Sequence, residues 1–190
     1  MVKRCKWGEH NDLMKEYHDK EWGTPLHDDK KLYELLILEG MQAGLSWNTV
    51  LQKRDNFRKA LDNFDYNKII KYKEIKIEEL MQNKGIIRNR LKIQSVIINA
   101  KSFIKIQEEF GSFDKYIWNF VNTKSVHNSW KKLEDLPSNT DLSNRISKDM
   151  KKRGFKFIGT TIIYSFLQAI GVVNDHTTDC FRYSELTSSP

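Results

Sequence analysis

The clearest indication of the fold is the segment Lys151-Lys152-Arg153-Gly154-Phe155-Lys156-Phe157-Ile158-Gly159-Thr160-Thr161. It lies between two predicted helices, over about 142–153 and about 160–170, and it ends in a hydrophobic residue, a glycine and a helix start. Glycine lets a backbone approach a phosphate closely, and the N-terminus of the following helix offers free N–H groups. A helix-hairpin-helix element over about 148–171 would hold a DNA backbone in this way without reading its sequence. A glycine that ends one helix before another is also common in helical proteins, so both interpretations stay open.

Helical periodicity also dominates the rest of the chain, without strong strand alternation. Further helices are expected after caps at Asp12, Asp28 or Asp29, Ser46 and Ser112, and over about 88–109, whereas the polar stretch 122–140 is expected to be a long loop. Gly40 and Gly44 are expected to break the second helix. The predicted fold class is therefore all-α, with one domain over 1–183 and a loose tail over 184–190.

Size and charge narrow the function classes. The chain has 190 residues, 39% of them hydrophobic and 12% aromatic, which suits one domain with a sizeable core and argues against global disorder. The formal net charge of +7 suits a protein that binds a polyanion, although moderate positive charge also aids solubility alone. The first residues, 1–7, hold no apolar signal core, and no stretch resembles a membrane span. We therefore expect a cytoplasmic protein that does not bind membranes.

Two cysteines and two histidines form a candidate metal site. Cys5 and His18 lie near one end of the chain, and His176 and Cys180 lie four positions apart near the other. Two thiolates and two imidazoles are a common tetrahedral zinc set, although two unrelated pairs of buried residues would give the same sequence. Four protein ligands leave no open position, so such a zinc ion would be structural and would join the two ends of the chain.

Glu39 stands where the helical pattern calls for an apolar side chain. It follows Leu32, Leu35 and Leu36 at i, i+3, i+4 and i+7 of one stripe. A buried carboxyl is costly unless it is paired, so Glu39 either faces a ligand pocket or turns to solvent where the helix frays at Gly40.

Aromatic residues are concentrated in the same part of the chain. Trp7, Tyr17, Trp22 and Trp47 all lie in its first quarter. Aromatic faces stack on nucleobases, and a cluster with one anionic acceptor would suit a cationic, electron-poor purine such as a methylated adenine. The alternative is that these rings simply form core.

Taken together, the chain resembles the bacterial DNA-3-methyladenine glycosylase I family, of the helix-hairpin-helix DNA glycosylase superfamily. The resemblance runs from Arg4-Cys5 to Cys180. It rests on Tyr17-His18-Asp19, Glu21-Trp22-Gly23, Leu38-Glu39-Gly40, Gln42-Ala43-Gly44-Leu45-Ser46-Trp47, Gly85-Ile86-Ile87-Arg88, Arg153-Gly154-Phe155-Lys156-Phe157-Ile158-Gly159 and Asn174-Asp175-His176. It implies hydrolysis of the N-glycosidic bond of 3-methyladenine in double-stranded DNA, with release of the free base.

The resemblance also implies roles for individual residues. Glu39 and Tyr17 would be the catalytic pair that hydrogen-bonds the base, Trp47 would stack on it, and Trp7 and Trp22 would complete the pocket. Leu45 would be a wedge that fills the gap left by a flipped nucleotide. The residues expected to contact DNA are Gln42, Gly44, Leu45, Lys156, Gly159 and Thr160. The ligands of one structural zinc ion would be Cys5, His18, His176 and Cys180.

Three departures from the wider superfamily bear on mechanism. Many relatives have Leu-Pro-Gly-Val-Gly in the hairpin, where this chain has one glycine fewer in Phe155-Lys156-Phe157-Ile158-Gly159. Thr161 stands where bifunctional relatives carry a lysine nucleophile, so a Schiff-base lyase step is not expected. Asn174 stands in place of the usual catalytic Asp, which predicts an enzyme limited to bases that already leave easily.

We therefore expect a monofunctional glycosylase that acts as a monomer. Two rivals remain: a non-enzymatic protein that binds alkylated DNA, and a DNA-binding module stapled by zinc. The second would need a base-reading helix and usually dimer symmetry, and neither signature is present in the sequence. A zinc hydrolase fits less well because all four candidate ligands are already used in a closed set.

Overall fold

The computed structural model describes residues 2–188, which fold as a mostly helical protein. The α-helices are α1 (Asp12–Lys20), α2 (Asp29–Gln42), α3 (Trp47–Gln52), α4 (Arg54–Ala60), α5 (Tyr66–Ile69), α6 (Glu74–Gln82), α7 (Arg90–Phe110), α8 (Phe113–Asn119), α9 (Asp141–Lys152), α10 (Thr160–Ala169) and α11 (Phe181–Ser188). Short 3-10 helices cover Lys6–Glu9, Asp62–Phe64 and Leu133–Asp135. Among the described residues, no helix is long and apolar enough to cross a bilayer.

Local capping explains where several helices begin. The side chains of Asp28, Ser46 and Ser112 accept backbone N–H groups three residues ahead, at 2.8, 3.2 and 3.0 Å, as the sequence predicted. The expected cap Asp12 is wrong by one residue, because Asn11 accepts the Met14 N–H and α1 begins at Asp12. Helix α7 ends at Phe110, and Gly111 after it takes a left-handed φ of 86°.

Helix α2 is the centre of the core. Ten consecutive residues, 32–41, are buried, because α2 packs against α3, α7, α8 and α10. The expected break at Gly40 is wrong, since the helix continues to Gln42. Gly40 instead lets α2 approach the turn before α10, where an added Cβ would lie 3.4 Å from the Phe157 carbonyl oxygen. Gly44 lies beyond the helix with a φ of +77°.

Helices α9 and α10 are joined by the turn 153–159. Gly154 and Phe157 both have positive φ, 92° and 54°. Phe157 therefore adopts a left-handed conformation, which costs a residue with a Cβ atom roughly 1–2 kcal/mol. Its neighbours brace the turn, since the Ser147 hydroxyl donates to the Ile158 carbonyl at 2.7 Å. The pair of helices and the tight turn were predicted within one residue at each end.

Two features outside the main helices were not expected. A two-residue strand β1 (Val126–His127) pairs in parallel with β2 (Val173–Asn174), so the all-α description needs this small exception. The helix that begins after the Ser46 cap is also short, because it ends at Gln52 and α4 begins at Arg54. Strands of two residues carry no detectable alternation, so the sequence pattern could not reveal them.

The loose tail predicted over 184–190 is wrong as far as Ser188. Residues 181–188 form α11, whose Arg182 guanidinium donates to the Thr24 hydroxyl at 2.6 Å and thereby ties the helix to the loop after α1. Residues 189–190 of the predicted tail lie outside the described residues. A tie between the two ends of the chain leaves no local signal in the sequence of either end.

Candidate active site and metal centre

A cavity of about 240 Å³ lies beside the buried face of α2. It brings together all five residues predicted to bind a base. The lining residues are Trp7, Met14, Tyr17, Trp22, Glu39, Gln42, Trp47, Leu133, Leu136, Ser165 and Gln168. The interpretation of the four aromatics as core alone is therefore wrong, because each of them also faces this cavity.

Glu39 supplies the ionisable carboxyl group of this cavity. Its side chain is 3% exposed, and its Oε2 atom is buried without a hydrogen-bond partner among the described residues. The alternative in which Glu39 turns to solvent is therefore wrong. Burial raises the pKa of Glu39 to about 8, because desolvation disfavours the charged carboxylate. At neutral pH the carboxyl group is therefore mainly protonated.

Tyr17 and Trp47 supply two further polar atoms without partners. Their ring centroids lie 5.2 Å apart with an interplanar angle of 46°. Within residues 2–188, neither the Tyr17 hydroxyl nor the Trp47 Nε1 forms a hydrogen bond. Burial, with a smaller contribution from the nearby Glu39, raises the pKa of Tyr17 well above its usual value, so its hydroxyl stays a proton donor. The cavity thus holds two donors and one carboxyl group, all free to bond a ligand.

Trp7 and Trp22 form an aromatic wall of the cavity. Their centroids are 5.0 Å apart in an edge-to-face arrangement, at 78°. Behind them lie two imidazoles: Trp7 meets His18 at 5.2 Å, and Trp22 meets His176 at 4.6 Å. The wall therefore rests directly on the histidines of the candidate metal centre.

Five lining residues were missed by the sequence analysis, of which Met14 comes from α1. Leu133 and Leu136 come from the long loop, and Ser165 and Gln168 come from α10. Gln168 is oriented by the buried Asp175, since its Nε2 donates to Asp175 Oδ2 at 2.7 Å. The only local signal was a pair of polar residues at i and i+3 on the otherwise apolar α10.

The predicted metal ligands meet in one cluster. The side-chain donor atoms of Cys5, His18, His176 and Cys180 lie within 4.8 Å of one another, and all four residues are buried. The Sγ–N distances are 3.6 Å for Cys5–His176, 3.5 Å for Cys180–His18 and 3.5 Å for Cys180–His176. Tetrahedral zinc, with bonds of about 2.3 Å to sulfur and about 2.0 Å to nitrogen, separates such atoms by about 3.6 Å. The reading of two unrelated buried pairs is wrong, and the donor set fits a zinc ion.

Hydrogen bonds outside the cluster fix both imidazoles. His18 Nδ1 lies 2.8 Å from Asp19 Oδ1, which Arg4 also holds, so its Nε2 faces the sulfurs. His176 Nε2 lies 3.0 Å from the Trp22 carbonyl oxygen, so its Nδ1 faces them. Such outer partners set the tautomer of a metal-binding histidine.

The turn between α2 and α3 carries the residues predicted to face DNA. Leu45 is 42% exposed at this turn, and Gln42 lines the cavity beside it. Gly44 has a φ of +77° with open space around its Cα, so no packing conflict shapes the turn. Leu45 is therefore an exposed apolar side chain beside the cavity, and its contact with DNA stays a prediction.

The predicted hairpin contacts lie on the turn before α10. Gly159 is the N-cap residue, and within the described chain no side chain caps α10 there. The first N–H groups of α10, beginning at Thr160, are therefore free to bind an anion. Lys156 is exposed on the same turn. This is the arrangement expected of a phosphate-binding turn.

A family model described as methyladenine glycosylase matches residues 7–183. The chain belongs to this family. It is 46% identical over 182 residues to DNA-3-methyladenine glycosylase 1 of Escherichia coli (strain K12), which covers 96% of this chain and 97% of that protein. Two solved structures are also similar. A crystal structure of a 3-methyladenine DNA glycosylase I (TAG) matches with a TM-score of 0.91 and 47% identity, covering 94% of this chain and 98% of the other.

The second structure is that of a Staphylococcus aureus TAG, described as giving the structural basis of 3-methyladenine recognition. It matches with a TM-score of 0.90 and 35% identity, covering 94% of this chain and 95% of the other. The resemblance inferred from the motifs is therefore confirmed at the level of the family.

In this methyladenine glycosylase, the structure shows the surroundings of Asn174, which stands in place of the usual catalytic Asp. Asn174 is fully buried, bonded to His127 and to the His176 N–H, and is not among the lining residues described for the cavity.

Proposed function

We propose that this protein is a monofunctional DNA-3-methyladenine glycosylase, which hydrolyses the N-glycosidic bond of 3-methyladenine in alkylated DNA during base-excision repair. The observation that carries the proposal is the buried Glu39 carboxyl without a partner, in an aromatic cavity of about 240 Å³. Membership of the methyladenine glycosylase family and the names of the relatives support the same activity.

Recognition follows from charge and shape. A 3-methyladenine still attached to DNA is cationic, and its positive charge favours the ionised form of Glu39 that burial disfavours. In a cavity with little water, this attraction is stronger than it would be in solution. Tyr17 and Trp47 bring aromatic rings and free donors to the same ligand, and cation–π attraction favours the methylated base over neutral adenine.

Catalysis relies on a substrate that is already primed to leave. Departure of the methylated base neutralises its charge, and the sugar passes through an oxocarbenium-like state that water then traps. Asn174 cannot act as a base, and Thr161 cannot form a Schiff base, so a lyase step is not part of the reaction. Restricting excision to weakened bonds protects normal adenine.

The DNA-facing groups act together on a flipped nucleotide. The element over 148–171 serves as a helix-hairpin-helix, with Lys156, Gly159 and Thr160 holding phosphates. Leu45 fills the gap in the duplex, with Gln42 and Gly44 beside it. We propose that residues 1–183 form the glycosylase domain, and that it binds double-stranded DNA as a monomer in the cytoplasm.

One structural zinc ion would be held by Cys5, His18, His176 and Cys180. Because four protein ligands leave no open position, its role would be to keep the ends of the chain together, and the chemistry would stay with the cavity. Cys180→Ala should reduce the zinc content from about one ion per chain to almost none. The change should also lower the midpoint of thermal unfolding, whereas Thr178→Ala at the neighbouring exposed position should change neither. Full zinc content in Cys180→Ala would contradict the ligand assignment.

The activity is tested by incubating the protein with methylated DNA and identifying the released bases by chromatography. We expect free 3-methyladenine, and Glu39→Gln should lower kcat/KM by about 10- to 100-fold because it removes one charge-assisted hydrogen bond. Binding of methylated duplex without any released base would instead support the rival role of a non-enzymatic lesion binder. Failure to bind the methylated duplex in preference to undamaged DNA would exclude both.

A further inference from the structure

Helix α7 carries a buried stripe of polar residues that the proposed reaction does not use. The stripe consists of Lys92, Ser95, Asn99 and Ser102, which are 6, 5, 2 and 7% exposed. Their spacing places them on one face of the helix. Buried polar groups destabilise a protein unless they are hydrogen-bonded, so the partners of these side chains indicate what the stripe does.

The Lys92 ammonium holds the turn that carries Leu45. Its Nζ donates to the carbonyl oxygens of Met41, at 2.9 Å, and Ala43, at 2.6 Å. These carbonyls belong to the C-terminal end of α2 and to the turn that follows, where backbone acceptors lack intrahelical partners. The negative end of the α2 dipole also favours a cation there. In a basic protein that binds DNA, a lysine is first assumed to contact phosphate, but this one points inward.

Asn99 holds the other DNA-facing turn. Its Nδ2 donates to the Lys156 carbonyl at 3.0 Å, and its Oδ1 accepts the Lys156 N–H at 2.8 Å. Ser102 adds a bond from its hydroxyl to the Arg153 carbonyl at 3.0 Å. Both groups bond only to the backbone of the hairpin and leave the Lys156 side chain free.

We propose that the polar stripe of α7 sets the relative position of the two DNA-facing turns, with Lys92 positioning the Leu45 turn and Asn99 positioning the hairpin. Lys92 and Asn99 are seven residues apart, so their Cα atoms are separated by about 10 Å along the helix axis. One rigid helix thereby fixes the distance between the wedge and the phosphate grip. This inference rests on the proposed function, because it assumes that Leu45 and the hairpin contact DNA.

Lys92→Met tests the first half with two ligands: free 3-methyladenine and a duplex containing a tetrahydrofuran abasic-site analogue. We expect free-base affinity within about threefold of wild type and duplex affinity lower by about tenfold, since a small displacement of the Leu45 turn weakens its contact with the duplex. The salt dependence of duplex binding should stay unchanged, because Lys92 contacts no phosphate. A slope reduced by about 0.9 would show a direct phosphate contact and overturn the proposal. Lys101→Met is the control of equal charge, at an exposed position of the same helix.

A double-mutant cycle shows whether Lys92 acts through Leu45. Lys92→Met should weaken duplex binding little further in a Leu45→Ala background, and additive effects would overturn the proposed route. If Leu45→Ala alone leaves duplex binding unchanged, the wedge itself is wrong, which separates the two failures. Gly44→Ala perturbs the same turn through its φ of +77° without a steric clash, so it replaces Lys92→Met if that variant does not fold.

Asn99→Leu tests the second half. It removes both bonds to Lys156 and keeps the number of side-chain heavy atoms, and the hairpin holds phosphates without reading the lesion. We therefore expect undamaged duplex and abasic-analogue duplex to lose affinity by the same factor, of about tenfold. Lys92→Met should instead weaken the abasic-analogue duplex more than the undamaged one. Equal patterns in the two variants, or unchanged affinity in Asn99→Leu, would overturn the division of roles.

Discussion

Two buried glutamates on the same helix have opposite surroundings. Glu34 is 7% exposed and accepts hydrogen bonds from Arg54 at 2.5 Å and from Arg58 at 2.7 Å. Glu39, five residues along α2, is 3% exposed and has an oxygen without a partner among the described residues. The Glu34 carboxylate has its partners within the protein, whereas the Glu39 carboxyl has an oxygen that a ligand could bond. The contrast separates a structural carboxylate from a functional one.

The largest expected effect is on the partnered carboxylate. Glu34→Gln removes the negative charge that Arg54 and Arg58 share, while Glu21 remains as the other partner of Arg54, so the change should lower the free energy of unfolding by about 3 kcal/mol. Urea denaturation at pH 7 measures the change. Free-base binding by the folded variant should stay within about threefold of wild type, because Glu34 lies outside the cavity. A stable Glu34→Gln variant would remove the distinction between the two glutamates.

The unpartnered carboxyl should show the opposite sign. The folded-state pKa of Glu39 is about 8, above its ordinary value of 4.5, so the folded protein keeps a proton that the unfolded chain releases between these values. The stabilising contribution is complete below pH 4.5 and is lost as the pH rises towards 8, at up to about 1.4 kcal/mol per pH unit. Glu39→Gln removes this dependence and should be more stable than wild type by about 2–4 kcal/mol at pH 8.

Denaturation of wild type and Glu39→Gln at pH 5 and pH 8 provides the measurement. The two proteins should differ little at the lower pH and strongly at the higher one. A difference that does not depend on pH would mean that Glu39 has an ordinary pKa and that its surroundings are wetter than the structure indicates.

In the candidate metal centre, each histidine has a hydrogen-bond partner on the ring nitrogen that faces away from the sulfurs: Asp19 for His18 and the Trp22 carbonyl for His176. Asp19→Asn weakens the group that orients His18, so it should reduce zinc affinity by about 10- to 100-fold. A competition assay with a chromogenic chelator measures this affinity. Glu9→Gln is a suitable control, since Glu9 bonds only the far side of Arg4 at 3.2 Å. Equal zinc affinities in Asp19→Asn and wild type would contradict a zinc ion bound through His18 Nε2.

The smallest effects come from two buried tyrosines. The Tyr33 hydroxyl donates to the Val96 carbonyl at 2.7 Å, so Tyr33→Phe should lower the free energy of unfolding by about 1 kcal/mol. The Tyr17 hydroxyl has no partner within the described part of the chain, so Tyr17→Phe should leave stability unchanged or slightly higher. Tyr17→Phe should nevertheless weaken the binding of free 3-methyladenine by about tenfold. Calorimetry of both variants measures stability and binding together.

The sequence by itself determined the features that depend on neighbouring residues. Caps at Asp28, Ser46 and Ser112 and the glycine after α7 were predictable, because each satisfies backbone groups within a few positions. Glu39 could be singled out because it interrupts an apolar stripe. The motifs also identified the family, and with it four candidate metal ligands and the aromatic residues that line the cavity.

Only the tertiary structure decided which distant groups meet. Leu133, Leu136, Ser165 and Gln168 reach the cavity through long-range packing, and α11 is held by contacts with the loop after α1. From the sequence, Glu39 could either face a pocket or turn to solvent. The packing around α2 buries it beside the cavity. A lysine in a basic protein suggests a contact with DNA, but Lys92 is buried and its ammonium group donates to backbone carbonyls. The burial of a side chain and its hydrogen-bond partners depend on residues distant in sequence. Local patterns therefore indicate candidate residues, but only the packed structure shows what each of them contacts.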